Sequence, residues 1–291
     1  MELMRTPLKW AGSKVRVIDK LRPFLPAGDR LVEPFGGSCA VMMNTDYPAY
    51  LVADINPDLI GMYKYIAADV DGFVQAAAHL FECGNNAEAY YKIRTDFNLC
   101  ADLSWRSAAF MYLNRHCFNG LCRYNRSGYF NVPFGSYKKP YFPESEIRAF
   151  AEKAQRATFL CCSYSETLSM VNQGDVVYCD PPYLADRDEF TAYHSSAFSP
   201  IEHGRLARNL GRLVSRGVPV VVSNSDTDMV RYLYRDFECH SITAPRSIGA
   251  SAGSKKNAKE LVITSDKRHV NFAFDLAKPG TECTVIREVR A

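Results

Sequence analysis

Asp175-Val-Val-Tyr-Cys-Asp-Pro-Pro-Tyr183 sets a short apolar run against an acid, two prolines and an aromatic ring. Val176, Val177 and Tyr178 favour a pleated backbone, and an apolar run bounded by breakers reads as a strand covered on both faces, as in α/β sheets. Neither Pro181 nor Pro182 can donate to a ladder, and each restricts the residue before it, so the strand stops here. Asp180 is thereby predicted at a strand's carboxyl end, where open α/β sheets bind ligands. An isolated Asp-Pro would be ordinary turn chemistry. Two prolines followed by Tyr183 instead make a rigid corner that keeps a carboxylate, the Pro181 carbonyl and a ring close together.

Outward from this stretch the chain alternates strand and helix. A strand, a tight turn and a helix are read over Arg30–Ser38, and further strands are predicted at Ala49–Asp54, Ala157–Cys161, Val218–Val222, Cys239–Thr243 and Leu261–Thr264, with helices between them, which is the pattern of an α/β fold. Gly36 and Gly37 follow the first strand as a tight turn, and glycines there let a ligand approach the backbone. Asp54 ends the next strand about 20 residues on, the spacing at which nucleotide-binding βαβ units place a carboxylate near ribose hydroxyls. A plain βα turn and a helix cap before Pro57 are the blander explanations of the two features. Upstream, Lys9-Trp-Ala-Gly-Ser-Lys14 precedes Val15, Ile18 and Leu21 at helical spacing, so Gly12 and Ser13 read as a helix start flanked by cations, with Trp10 able to cover a ligand ring.

The 291 residues can bury a sizeable core. There is no long apolar run and no signal-peptide pattern at the N-terminus, so a cytoplasmic protein is expected, with its ten cysteines reduced and acting as small buried hydrophobes. Their spacing supports no zinc site. The net charge of +3 conceals an uneven distribution. Between Leu103 and Pro143 no acid occurs, while Arg106, Arg115, Arg123, Arg126, Lys138 and Lys139 are all positive, which leaves the remainder net acidic. A second acid-free stretch, Cys239 to Lys259, carries Arg246, Lys255, Lys256 and Lys259. Such segregation suits a polyanion-binding face.

Asp58 to Leu113 reads as helices, and the stretch from Asn114 to Gly135 as a hairpin turning at Arg126-Ser-Gly128. Eleven aromatics lie between Trp105 and Phe142. Trp105, Phe110 and Tyr112 are expected in a core, whereas Phe118 could wedge or stack against bases and Arg123 could pair with a guanine edge. Leu184 to Ser199 reads as a lid, Arg246 to Lys259 as a mobile basic loop.

Lys9-Trp-Ala-Gly-Ser-Lys14, Glu33-Pro-Phe-Gly-Gly37, Ala53-Asp54, Phe118-Asn-Gly-Leu-Cys-Arg-Tyr-Asn125, Phe130-Asn-Val-Pro-Phe-Gly135 and Asp180-Pro-Pro-Tyr183 together resemble the Dam family of DNA adenine-N6 methyltransferases, in the family's order, from about Thr6 to about Thr264. The resemblance implies a Rossmann-like class I methyltransferase sheet of seven strands with helices on both faces. It implies a catalytic domain at 1–56 and 145–270, a mostly helical target-recognition domain with a β-hairpin at 57–144, and an extension at 271–291. It implies S-adenosylmethionine as cosubstrate, no metal, and double-stranded DNA containing GATC as partner, without a membrane or an obligate protein partner.

By position, Asp180, Pro181, Pro182 and Tyr183 match the family's catalytic corner, and Trp10, Lys14, Phe35, Gly37, Asp54 and Asp180 its cofactor set. Lys9, Leu121, Arg123 and Pro133 match its base-contacting set, with Phe118 and Asn119 at the loop that enters the duplex. The family usually has a glycine where this chain has Cys39, a larger residue where it has Gly36, and a basic phosphate contact where it has Ser136. Two alternatives stay open at this point: a methyltransferase acting on an RNA base or a protein glutamine amide, and a nonenzymatic DNA-binding regulator that keeps the fold.

Overall fold

Val176 and Tyr178 pack on one face of a sheet while Val177 and Cys179 pack on the other, so the apolar run ahead of the two prolines is a central strand buried on both sides. A computed structural model describes residues 3–184, 198–244 and 258–265. Seven strands are present among them: β1 (Arg30–Glu33), β2 (Ala49–Asp54), β3 (Ala157–Cys161), β4 (Asp175–Cys179), β5 (Val220–Ser225), β6 (Glu238–Ala244) and β7 (Ala258–Thr264). Their order is β3-β2-β1-β4-β5-β7-β6. The first five run parallel, and β7 pairs antiparallel with both β5 and β6.

The helices are α1 (Ile18–Leu21), α2 (Ala40–Met43), α3 (Pro57–Ala68), α4 (Val70–Glu82), α5 (Ala87–Leu99), α6 (Leu103–His116), α7 (Glu144–Ala154), α8 (Tyr164–Ser169), α9 (Pro200–Ser215) and α10 (Asp228–Leu233). Two apolar cores result, one per sheet face. Leu31, Tyr50, Val52, Val176 and Tyr178 meet the helices up to α7, with Tyr63, Phe110 and Phe150 fully buried among them. On the reverse face Val32, Leu51, Val177 and Cys179 meet Leu168 of α8 and Leu206, Leu210 and Leu213 of α9. This is the α/β fold with helices on both faces that the alternation predicted.

Since connections leave β1 and β4 in opposite directions across the sheet, a crevice opens between the carboxyl ends of these neighbours. Glu33 ends β1 there, and Asp180 follows β4. At the opposite end of the same pair Arg30 clamps Asp175 through two bonds of 3.0 and 2.7 Å, which locks their register.

Several expectations are corrected. The predicted amphipathic helix after Ser13 is broken into a 3₁₀ turn at Lys14–Arg16, the single turn α1, and another 3₁₀ turn at Arg22–Phe24. Ser13 makes no cap, because its hydroxyl is bonded by Ser38 at 3.0 Å, and Pro23 denies the helix a donor. The predicted hairpin is an irregular antiparallel ribbon with only isolated bridges at Cys117–Phe134 and Tyr124–Phe130, since Pro133 cannot donate and Gly120 and Gly128 sit at positive φ. The strand expected at Val218–Val222 starts at Val220 and runs on to Ser225. Not every cysteine is a buried hydrophobe: Cys39, Cys117 and Cys179 are, but Cys83 and Cys161 are exposed. Most of the expected lid, residues 246–257 of the expected basic loop and the extension 271–291 lie outside the described residues, whereas the strand expected at Leu261 already starts at Ala258 and takes in Lys259 from that loop.

The glycine turn explains the two departures within it. A Cβ on Gly36 would overlap Val52 Cγ1 on β2, while the Gly36 N–H donates to the Ala53 carbonyl at 2.8 Å. Cys39 takes φ 58° and ψ 32°, the left-handed conformation that glycine adopts without strain. Gly36→Val is therefore expected to lower stability by about 1–3 kcal/mol, the usual cost of overpacking, read as a reduced urea midpoint with unchanged m value.

Candidate active site

Trp10 accepts the Ser13 N–H at 3.2 Å, and Gly12 at φ 78° completes the tight turn, which needs a positive φ at its third residue. The turn delivers Lys14 inward, where it is only 5% exposed. Its ammonium bonds Asp180 Oδ2 and the Gly12 carbonyl, each at 2.8 Å, and lies 4.9 Å from the centroid of the Tyr183 ring. Asp180 Oδ1 is buried and has no partner among the described residues. Burial pushes the Asp180 carboxyl up from its ordinary value, and Lys14 opposes the rise. The Tyr183 hydroxyl donates to Glu260 Oε2 on β7 at 3.0 Å, and Ser225 of β5 donates to the Leu184 carbonyl at 2.8 Å. Thus two strands beyond β4 fix the direction in which the chain leaves the corner.

Across the crevice the glycine turn is held from three sides. Gly37 donates to Asp54 Oδ2 at 3.1 Å, Asn56 donates to Asp54 Oδ1 at 2.9 Å, and the Tyr63 hydroxyl donates to the Gly37 carbonyl at 2.6 Å. Asp54 is thus an acceptor for its own backbone surroundings, and burial raises its pKa. Each of its oxygens keeps a further lone pair for a ligand. The indole of Trp10 lies on Gly37, where a Cβ would sit 2.8 Å from Nε1. Phe35 stacks on Tyr164 at 5.5 Å between centroids. Trp10 lies on Gly37, Gly37 bonds Asp54, and Lys14 bonds Asp180, so these five gather at the carboxyl ends of β1, β2 and β4, whereas Phe35 packs with Tyr164 and Phe198 in the cluster of the reverse face. The tight backbone turn, the carboxylates and the Trp10 indole suit an amphipathic nucleoside.

The second set gathers on the ribbon and the segment beside it. Asn114, at the end of α6, is the clamp: its Oδ1 accepts the Lys9 N–H at 2.9 Å, and its Nδ2 donates to the carbonyls of Lys9 at 2.8 Å and Gly120 at 3.2 Å. Gly120 is packed directly on the Lys9 side chain. The Lys9 ammonium lies 3.6 Å from the Tyr137 ring centroid, and burial with the neighbouring Arg115 pulls its pKa down. Phe118 is 50% exposed, Asn119 is left-handed at φ 55°, and Pro133 is exposed, its carbonyl accepting the Phe118 N–H at 2.8 Å. Leu121 is half-buried against the core. Arg123 is also half-buried, its Nε donating to Asn131 Oδ1 at 2.8 Å and its Nη2 to the Asn131 carbonyl at 3.2 Å, so its guanidinium is steered before any partner arrives.

The basic face is smaller than the composition implies. Of the six cations in the acid-free segment, Arg106 is paired with buried Asp58 and Arg115 is itself buried, its guanidinium bonding the Pro7 carbonyl. Desolvation pulls Arg115 down to about 10. These two are structural. Arg126, Lys138 and Lys139 remain exposed. Most of the eleven aromatics are core as well, with Phe118, Tyr129 and Tyr141 the exposed ones.

Sequence reasoning left out Glu260, Asn114 and Glu33 as site residues. Glu33 is fully buried at the mouth of the crevice, its Oε1 unpartnered among the described residues and its pKa pushed up to about 8 by burial. Among the described residues no group of three or more His, Cys, Asp or Glu side chains could hold a metal ion, and no helix is long and apolar enough to cross a membrane.

Residues 10–248 match the model of the D12 class N6 adenine-specific DNA methyltransferases. The chain is 54% identical over 289 residues to the Retron Ec67 DNA adenine methylase of Escherichia coli, covering 99% of this chain and all of that one. It is 46% identical over 265 residues to the DNA adenine methylase of Escherichia coli K12, covering 90% and 95% of the two chains. The DNA adenine methylase of Vibrio cholerae is 45% identical over 266 residues, covering 90% and 96%.

Because the folded pKa of Glu33, about 8, exceeds its ordinary value of 4.5, its burial carries no charge penalty while the carboxyl is protonated in both states and grows costlier as pH rises through that interval. Glu33→Gln is expected to gain stability over the parent between pH 4.5 and about 8, on the order of a few kcal/mol at the upper end, with little difference below it. Urea titrations across that range measure the difference.

Proposed function

We propose that this chain, which belongs to the D12 class of N6 adenine-specific DNA methyltransferases and methylates adenine in DNA, takes the methyl group from S-adenosylmethionine and delivers it to a flipped adenine in GATC. One observation carries the site assignment: Asp180 Oδ1 is buried and unpartnered among the described residues, on a carboxylate whose Lys14 partner borders the Tyr183 ring, at the switch point of the sheet. A native protein rarely leaves a buried carboxylate oxygen unsatisfied without a use for it.

S-adenosylmethionine supplies, when bound, a sulfonium-activated methyl group. The residues that would hold it are Trp10, Lys14, Phe35, Gly37, Asp54 and Asp180. An adenine within a duplex cannot reach this crevice, so it must leave the stack. Phe118 and Asn119, in the exposed turn that follows α6 at the base of the ribbon, are placed to fill the gap, while Tyr183 offers a ring for the extruded base.

The exocyclic amine of adenine is a poor nucleophile because its lone pair is delocalised into the ring. Asp180 Oδ1 and the Pro181 carbonyl accept its two N–H bonds and Pro182 keeps their spacing rigid, so the lone pair is localised away from the ring and the positive charge developing on nitrogen is stabilised. Lys14 contributes by holding Asp180 ionised and fixing its other oxygen. Glu260 behind the Tyr183 hydroxyl makes that ring electron-rich toward a base that is gaining positive charge. No proton needs to leave before the methyl is transferred.

Target choice is assigned to segment 57–144 together with Lys9: Leu121, Arg123 and Pro133 face the base edges, and the Asn131 clamp presets Arg123 for the two acceptors of a guanine. Ser136, exposed beside them, offers no cation, so this surface neutralises one phosphate fewer than its relatives' pattern implies.

Two measurements test the reading. With labelled S-adenosylmethionine, the parent is expected to label an unmethylated GATC duplex and not a GATC-free one, while Asp180→Ala, assayed well below its own lowered unfolding temperature, loses at least about a hundredfold in kcat. Equal labelling of both duplexes would refute the target, and wild-type turnover by the variant would refute the role of Asp180. Separately, Glu260→Ala and Tyr183→Phe are each expected to lower kcat about tenfold, and the double variant no further than either, because both delete the same bond.

A further inference from the structure

On the reverse face of the sheet, α9 buries His203, Leu206, Ala207, Leu210, Leu213 and Val214 and turns Arg205, Arg208 and Arg212 toward the start of α8. These arginines sit at i, i+3 and i+7, hence along one side of the helix. With Ser163, Tyr164, Ser165, Glu202 and Asn209 they line a cavity of about 470 Å³. Three of its lining charges are positive and one is negative.

The negative charge is already engaged. Glu202 pairs with Arg205 and accepts the Tyr164 hydroxyl at 2.9 Å. The nearby Glu166 carboxylate is taken up by Ser163, whose N–H and hydroxyl reach it at 2.8 and 2.7 Å in a capping box. The guanidinium groups of Arg208 and Arg212, one turn apart and exposed, have no ion pair or hydrogen bond among the described residues. Like charges four residues apart on a helix are unfavourable unless an anion lies between them, and guanidinium forks match phosphate oxygens bidentately.

The groove is separate from the crevice. The ribbon and its helices pack on the other face of the sheet, while Tyr164, at the edge of the groove, stacks on Phe35. A duplex seated on the ribbon cannot present the same phosphates here.

We propose that the α8–α9 groove is a second anion site that binds phosphate oxyanions through Arg208 and Arg212, and that on DNA its ligand is the sugar–phosphate backbone of a segment outside the one being methylated. The site needs no GATC and holds the enzyme on long DNA without entering the reaction.

The test uses full-length protein and an Arg208→Gln/Arg212→Gln variant, with matching thermal unfolding in phosphate-free buffer as the folding control. Binding of GATC-free duplexes is followed by fluorescence anisotropy over a salt series. On a long duplex the variant is expected to lower the slope of log K against log salt by about 2, near 0.9 for each phosphate no longer neutralised, and on a duplex too short to reach the reverse face to leave it unchanged. Inorganic phosphate and pyrophosphate are titrated in parallel by thermal shift. Stabilisation of the parent but not of the variant, with equal DNA slopes, supports the anion site and assigns it to free phosphate. Equal slopes on long DNA together with equal phosphate responses overturn the proposal. Since none of these readings uses methyl transfer, they stand apart from the assay of the proposed reaction.

Discussion

Asp180 is buried in a place that resists charge, and the ion pair with Lys14 works against that burial. Much of the local architecture follows from that pairing. To send a lysine inward at position 14, the chain makes a tight turn at Gly12 and forgoes a regular helix, leaving α1 a single turn between two 3₁₀ turns. The same turn lays Trp10 on Gly37. The ammonium also borders the Tyr183 ring, so the Asp180 carboxylate, the Gly12 carbonyl and that ring all meet one cation. Because Lys14 satisfies only one carboxylate oxygen, the other is left buried and available.

The glycine turn shows a second constraint, the closeness of β1 to β2. Gly36 has no room for a side chain against Val52, and the backbone recovers its course by placing Cys39 in the left-handed region. A change toward a small residue at one position of this turn is thus accompanied by strain at another, about 1 kcal/mol or more for a non-glycine residue. Asp54, Asn56 and Tyr63 hold the turn where it is.

The two functional surfaces are mechanically joined. Asn114 bonds the backbone of Lys9 and of Gly120 with one amide group, and Arg115 reaches the Pro7 carbonyl, so the segment that carries Trp10 and Lys14 is stitched to the ribbon that carries Phe118 and Arg123. Whatever seats the ribbon therefore also positions the strip leading to the catalytic corner. The apolar core on that side of the sheet is likewise continuous from β1 to α6, with Leu31, Tyr63 and Phe110 in one cluster.

What the sequence determined by itself was whatever depends on near neighbours in the chain. The run Val176 to Tyr178 stopped by two prolines, the glycines after β1 and the acid ending β2 are short-range signals, and each lies where its local chemistry put it. Periodicity sufficed where one face is buried, as in α3 and α4, because that burial imposes a repeat, whereas α6, buried on all sides from Ser107 to His116, was legible only as an apolar run. It failed at α1, where an inward lysine outweighed the apolar spacing, and at the ribbon, where proline and glycines left no regular ladder. Composition overstated the basic surface, since Arg106 and Arg115 spend their charge inside the fold. Only the tertiary structure could bring Glu260 behind Tyr183, Asn114 between Lys9 and Gly120, and Lys14 onto Asp180. Those partners lie 77, 105 and 166 residues apart, and no property of a chain segment records which distant carboxylate or amide will be left facing it once the sheet has closed.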